Sequence, residues 1–308
     1  MNISIRLIIR GYDNMDIDEQ TEKKSVTLYK CSNCTTSFCS FAAEDITKCP
    51  ICHGSNLEAN KIDEERELYY IPFQMTKKQA FKDYRRKTFW DPFIPFAFKT
   101  KKIDFLHKIY IPAFLLDAKQ EGNITFLGGE KVPTENSKKK FVTKKYNVVN
   151  HVNVNYCGVF VNIAKIIKED IFKMINMYDS NNLKMINSSS DFNGVYLLSD
   201  MDITEAGNKG REKISKSTLS LVRENVLHPL KKFQEDNTTI TFENTKQVLL
   251  PIYIGRVIYK NKEYYYMMNG ENGKAYLEVT IGAMGVILFS IIMFIIIFIL
   301  GYCFAYFV

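Results

Sequence analysis

Four cysteines stand in two Cys-x-x-Cys pairs, Cys31/Cys34 and Cys49/Cys52, with fourteen residues between the pairs. Each pair is a short arm that presents two thiolates to one ion, and two such arms close a tetrahedron of sulfur around Zn2+. Four protein ligands leave no open position for water or substrate, so the spacing assigns the metal a structural role. A module of about thirty residues buries too little apolar surface to fold unaided, and the metal is expected to supply much of its folding free energy.

Three rival chemistries use the same residues. The run CPICH, residues 49–53, fits covalent haem attachment, but that chemistry belongs to exported domains and leaves Cys31 and Cys34 without a task. A thioredoxin-like redox pair opens a helix in a strand–helix–strand setting, which the surrounding residues do not provide. Cys39 and His53 fall outside the paired spacing and are expected to be spectators. The remaining cysteines of the seven, Cys157 and Cys303, lie far apart, and an odd, scattered set argues against a secreted disulfide framework.

No catalytic constellation accompanies the cysteines. The four histidines, His53, His107, His151 and His228, show neither metal-ligand nor nucleophile-partner spacing. There is no glycine-rich phosphate loop, no G-x-S-x-G turn, and no pair of carboxylates set for acid and base work. The pair Gly128-Gly129 follows a strand pattern but lacks the helix a phosphate loop needs. The expectation is a protein without enzymatic activity and without a small-molecule substrate.

The elements that must position the cysteines divide the 308 residues into five parts. Residues 1–28 are read as a flexible N-terminal segment, 29–58 as a zinc ribbon and 59–71 as a charged linker. Residues 72–278 are read as a cytosolic α+β domain, and 281–308 as a transmembrane helix. Within MNISIRLIIRGYD the apolar run is too short for a signal-peptide core, so the ribbon is expected to stay in the cytoplasm. No charged side chain follows Glu278, and the apolar block from Ile281 onward exceeds the roughly 20 residues that cross a hydrocarbon core. Lys260, Lys262 and Lys274 precede that block and nothing charged follows it, which places the preceding domains inside a single-pass cell membrane protein.

In the α+β part, Thr76 before KKQAFKDYRRK reads as the N-cap of a helix whose apolar face is Ala80, Phe81 and Tyr84. The prolines of FWDPFIPFAF forbid its continuation. KIYIPAFLLDAKQ and GNITFLG read as two strands joined by a polar turn, and SKKKFVTKK as a lysine-rich turn before VVNHVNVNYCGVFV. Ile163, Ile166, Ile167, Ile171 and Met174 fall on one helix face, and a second helical pattern runs from Ile203 to Phe233 with a stop near Pro229. VLLPIYIGRVIYK and KEYYYMMNG read as paired strands, with Asn269-Gly270 and Asn272-Gly273 as turn residues. The stretches 108–129 and 247–270 share an order of strand, proline, strand, turn and strand, which is either an internal duplication or shared composition.

The formal charge of +7 points to an anionic partner, discounted because lysine is abundant along the whole chain. Its densest concentration runs through Lys77, Lys78, Lys82, Arg85, Arg86, Lys87, Lys99, Lys101, Lys102 and Lys108, interleaved with Phe81, Tyr84, Phe89, Trp90, Phe93, Phe96 and Phe98. Such a mixture grips single-stranded nucleic acid, lies on an anionic bilayer, or is a solvated helix face beside an aromatic core.

Taken in order, the two cysteine pairs, IPFQMTKKQA from Ile71 to Ala80, YIPAF from Tyr110 to Phe114, MNGENGK from Met268 to Lys274 and the terminal apolar block resemble the bacterial TFIIB-type zinc ribbon-containing membrane proteins. The first pair departs from that pattern, since CSNCTT lacks the glycine of a CPxCG-like knuckle, and residues 130–200 match poorly. The resemblance implies a cytosolic ribbon and α+β domain on a membrane anchor, Zn2+ at the four cysteines, and no enzymatic activity. It also implies protein partners in a membrane-stress response of the phage-shock type. The reading is therefore of a membrane-anchored, non-enzymatic adaptor or scaffold, with a tethered nucleic-acid binder as the alternative.

Overall fold

The computed structural model describes residues 24–41, 46–64, 66–134, 137–188, 192–199, 201–225 and 230–307. In chain order the strands and helices are β1 (Lys24–Cys31), β2 (Ser37–Ser40), β3 (Leu57–Glu64), β4 (Tyr69–Tyr70), α1 (Lys77–Trp90), α2 (Phe96–Lys99), β5 (Phe105–Thr134) and β6 (Ser137–Asn162). There follow α3 (Glu169–Ile175), β7 (Lys184–Met185), β8 (Val195–Leu197), α4 (Ile203–Asn225), β9 (Leu230–Tyr259), β10 (Lys262–Asn269), β11 (Ala275–Leu277) and α5 (Ala283–Phe307). Helices and a mixed sheet make the fold α+β, as expected.

Two compact units divide the chain. Among the described residues, one comprises Ala113–Lys165 and Ser199–Val248; the other comprises 24–112, Ile166–Leu198 and 249–307. The single domain expected over 72–278 is thus shared between two units, each assembled from separate stretches of chain.

In the first unit, the β5 residues from Ala113 pair antiparallel with β6 down to Thr134↔Ser137. The polar turn expected near Gln120 is absent. Gln120 is buried and donates to Thr238 Oγ1 at 2.7 Å, and its Oε1 accepts from Thr218 of α4. Gly122 has φ 140°, and a Cβ there would meet the Asn237 carbonyl oxygen at 2.3 Å, so glycine serves a close backbone approach rather than a turn. The lysine-rich run expected as a turn is strand in β6, because pairing to β5 satisfies its backbone and residues 143–147 are exposed. A register shift at Leu116/Ala118 leaves Asp117 to accept from the Gly158 amide at 2.8 Å. Helix α4 covers the hairpin with Ala206, Gly210, Ile214, Thr218 and Val222, a stripe spaced by four. It ends at Asn225, and Leu230–Phe233, expected as helix, is strand; Pro229 and His228 lie outside the described residues.

The second unit carries the cysteines. Strand order runs β11-β10-β9-β5-β8-β2-β1-β3. Strand β1 pairs antiparallel with both β2 and β3, the latter from Lys24↔Glu64 to Cys31↔Leu57. Residues 24–28, expected as flexible, and 59–64, expected as linker, are therefore strand. Their alternating polar residues hid a ladder that needs its partner to exist. Strand β2 also pairs with β8, Cys39↔Tyr196, and β8 meets β5 in parallel at Tyr110↔Tyr196. One core consequently joins Val26, Cys39 and Phe41 to Leu68, Tyr110, Ile186, Phe192, Tyr196 and Leu249. The module expected over 29–58 is continuous with the sheet, so burial contributes to folding it alongside any metal.

Thr76 caps α1 as expected. Its Oγ1 accepts from the Gln79 amide at 3.3 Å, and Gln79 Oε1 accepts from the Thr76 amide at 2.7 Å. Ala80 and Tyr84 enter a core with Ile94, Phe98, Tyr253 and Tyr266, while Phe81 faces outward. The helix expected from Ile163 is only Glu169–Ile175, and it buries Phe172 and Ile175 rather than Ile171 and Met174. Strands β9 and β10 pair as expected, but their turn is Lys260-Asn261, both left-handed at φ 50° and 58°. The Asn269–Lys274 turn instead joins β10 to β11, with Asn269 Oδ1 accepting from the amides of Glu271 and Asn272.

Helix α5 spans 25 residues, about 37 Å at 1.5 Å per residue against a hydrocarbon core of roughly 30 Å. Its central stretch, Gly285–Tyr302, is long and apolar enough to cross a membrane, and none of it is buried. Ile287, Ile291, Phe294 and Phe298 are all exposed, so α5 is no core helix of a soluble domain.

Candidate metal centre

The two knuckles are turns at strand ends. Cys31 closes β1 and Cys34 lies in the turn to β2, shut by the Cys31 amide on the Thr36 carbonyl at 3.0 Å. Cys49 and Cys52 lie in the turn before β3, shut by the Cys49 amide on the Gly54 carbonyl at 2.8 Å. The β1–β3 ladder brings the turns together, and the four Sγ atoms lie within 4.8 Å of one another. Cys31 to Cys52 and Cys34 to Cys49 are each 3.7 Å. Four sulfurs at about 2.3 Å from a tetrahedral ion are separated by about 3.8 Å, so the cluster has the size of a four-thiolate metal site.

Two of the sulfurs accept hydrogen bonds from the knuckle backbone. The Ile51 amide donates to Cys49 Sγ at 3.4 Å, and the Gly54 amide to Cys52 Sγ at 3.4 Å. Asn33 Nδ2 reaches Cys52 Sγ at 3.5 Å. Burial pushes the Cys34 and Cys49 thiols up. At Cys52 burial acts in the same direction, but the bonds from Asn33 and the Gly54 amide outweigh it and bring the thiol down to about 7.

Each knuckle is followed by a residue in the left-handed region, Thr35 at φ 58° and His53 at φ 64°. This is the place where a glycine is missing from CSNCTT, and the turn forms without it, at a cost in backbone strain. Cys39, expected as a spectator, is buried on β2 away from the cluster.

His53 is not a member of the cluster, yet it has a partner that spacing did not reveal. Its Nδ1 lies 3.1 Å from His107 Nε2 across 54 positions, its Nε2 lies 3.3 Å from Lys48 Nζ, and its ring stacks on Phe105 at 4.9 Å. Burial, then the charges of His53, Lys77 and Lys48, hold His107 down to about 4, so its ring is neutral at neutral pH. Arg256 of β9 completes this surround. Its Nη1 donates to the Cys52 carbonyl at 3.3 Å, and the same guanidinium pairs with Asp104 at 2.7 Å and Glu263 at 2.8 Å and lies over Phe105. No sequence signal marks Arg256 or His107; both are visible only once β5 and β9 are placed. His151 lies on β6 in the other unit.

The chain was compared with protein-family models, with curated proteins and with solved structures, and nothing matched.

Proposed function

We propose that the protein is a membrane-anchored zinc-ribbon adaptor of the kind the sequence resembles. Cys31, Cys34, Cys49 and Cys52 hold Zn2+ as a structural ion, and α5 crosses the cell membrane with the remainder on its cytoplasmic side. The exposed surfaces recruit protein partners to the inner face, in a membrane-stress response and without catalysis. The observation that carries this reading is that the four-sulfur cluster and the unburied apolar helix are built into one compact unit. Tethering a weak binder to a surface raises the effective concentration of any partner confined there.

The test is crosslinking and mass spectrometry on the full chain in its native membrane, with metal content measured on the same preparation. One zinc per chain and a reproducible protein crosslink support the adaptor. Zinc with nucleic acid as the sole crosslinked species replaces it with the tethered nucleic-acid binder, and absence of metal removes the ribbon from the argument.

A further inference from the structure

The turn between α1 and α2 has two faces with opposite characters. Ile94 and Phe98 point inward and are almost wholly buried in the α1 core. Phe89, Trp90 and Phe96 point outward and are 67%, 77% and 82% exposed. Pro92 and Pro95 stiffen the chain between them, and the Phe93 amide is held by Asp91 Oδ1 at 2.9 Å. Three large aromatics displayed by a stiff, core-anchored turn are not explained by the packing of this chain.

The same turn touches the start of α5. The Gly282 amide donates to the Phe93 carbonyl at 2.8 Å, and the Phe93 ring lies 5.1 Å from that of Phe289. A Cβ on Gly285 would sit 2.4 Å from the Pro92 carbonyl oxygen, so glycine is what lets the turn lie against the helix. Phe289 is six residues beyond the first residue of α5, about 9 Å along it at 1.5 Å per residue. The aromatic turn therefore lies beside the first two turns of the apolar helix. Cations surround it: Arg85, Arg86, Lys101 and Lys102 are exposed, and Lys99 Nζ caps the Phe89 carbonyl at 3.0 Å.

We propose that the turn 89–96 is a seat in the bilayer interface. On this assignment Phe89, Trp90 and Phe96 enter the headgroup and upper acyl region while the neighbouring lysines and arginines meet anionic phospholipid. The inference rests on the reading that α5 spans a membrane. Aromatic side chains collect at that depth because one part of the ring is apolar and the rim is wet, and basic side chains beside them gain from anionic lipid. A single span permits tilting and rotation of what it carries, and a second contact beside its entry point removes that freedom.

Trp90 is the chain's one tryptophan, so its fluorescence reports the seat without labelling. The full chain is reconstituted in phosphatidylcholine vesicles, with and without phosphatidylglycerol, containing lipids brominated either near the carbonyl end or near the methyl end of the acyl chain. Flotation after alkaline extraction is measured on the same samples. The expected result is roughly half of the emission lost to bromine near the carbonyl end, and clearly less to bromine near the methyl end, as for an interfacial ring. Acrylamide access falls, and both effects strengthen with phosphatidylglycerol. Floating vesicles in which acrylamide quenches Trp90 freely and bromine does not would overturn the seat while leaving the anchor intact. Shielding from acrylamide without bromine quenching would also overturn it, in favour of a protein contact. Failure to float would remove the anchor itself, and the seat with it.

Discussion

Arg256 donates to the backbone carbonyl of Cys52 across 204 positions of sequence, and it is held in that posture by Asp104 and Glu263. A metal ligand is only as well placed as the backbone that carries it, and here one guanidinium fixes the second knuckle to β9. Arg256→Ala is expected to leave the four sulfurs in place but to loosen Cys52, raising the rate of metal release to a chelating dye by about tenfold or more. Arg256→Lys, which keeps the charge and loses the fork, should fall between the two. Equal release rates for all three proteins would show that the bond is incidental.

Metal removal is expected to act locally. The shared core of Val26, Cys39, Phe41 and Tyr196 holds β1, β2 and β3 to the sheet independently of the sulfurs. Chelation, or Cys49→Ser, should abolish hydrogen-exchange protection in the turns around residues 31–36 and 49–56 while amides of β9 and β10 stay protected. Loss of protection throughout the unit would mean that the ion, and not the core, holds the strands together.

Thr35 occupies a left-handed conformation that a β-branched residue adopts at a cost of roughly 1–2 kcal/mol. Thr35→Gly is expected to stabilise the metal-loaded protein by about 1 kcal/mol in urea unfolding, part of the relief being offset by the freer unfolded chain. The same change at His53 should gain less, because it discards the bond to His107 and the stack on Phe105.

Glu64 ends β3 almost wholly buried, with Arg66 donating to both carboxylate oxygens at 2.6 Å and Tyr196 donating at 2.9 Å. Burial opposes its ionisation, but the Arg66 bonds and charge and the Tyr196 hydroxyl outweigh burial and hold the carboxyl below its ordinary value. A depressed folded-state pKa gives stability that is full above the unfolded value of about 4.3 and is lost as pH falls through the folded value. Glu64→Gln should therefore cost on the order of 1 kcal/mol at pH 7, modest because Arg66 is half exposed, and the deficit should shrink in acid. A deficit constant from neutral pH to well below 4 would contradict this account.

Gly285→Leu keeps α5 apolar but places a side chain where the Pro92 carbonyl lies. Full flotation with weakened quenching of Trp90 by shallow bromine is the expected outcome, measured as in the seat experiment. Quenching equal to that of the parent would show that the turn does not depend on the helix for its position.

What the sequence made legible was local. The cysteine pairs, the Thr76 cap and the apolar helix each declare themselves within a few residues, and the structure places them as the spacing implied. The misreadings lie where a distant partner overrides a local cue. The polar residues around Gln120 look like a turn until Thr218 and Thr238 satisfy them, and the lysines of β6 look like a loop until β5 supplies their ladder. His107 and Arg256 carry no motif at all, because their meaning depends on residues 54 and 204 positions away.

That last separation also sets an order in time. At roughly 5–20 residues per second of synthesis, about ten to forty seconds pass between the appearance of Cys52 and that of Arg256. The nascent knuckles are complete long before their clamp exists, and they have that interval in which to take up metal. The clamp then arrives just ahead of β10 and α5, so the second knuckle is locked only as the ribosome reaches the long apolar helix.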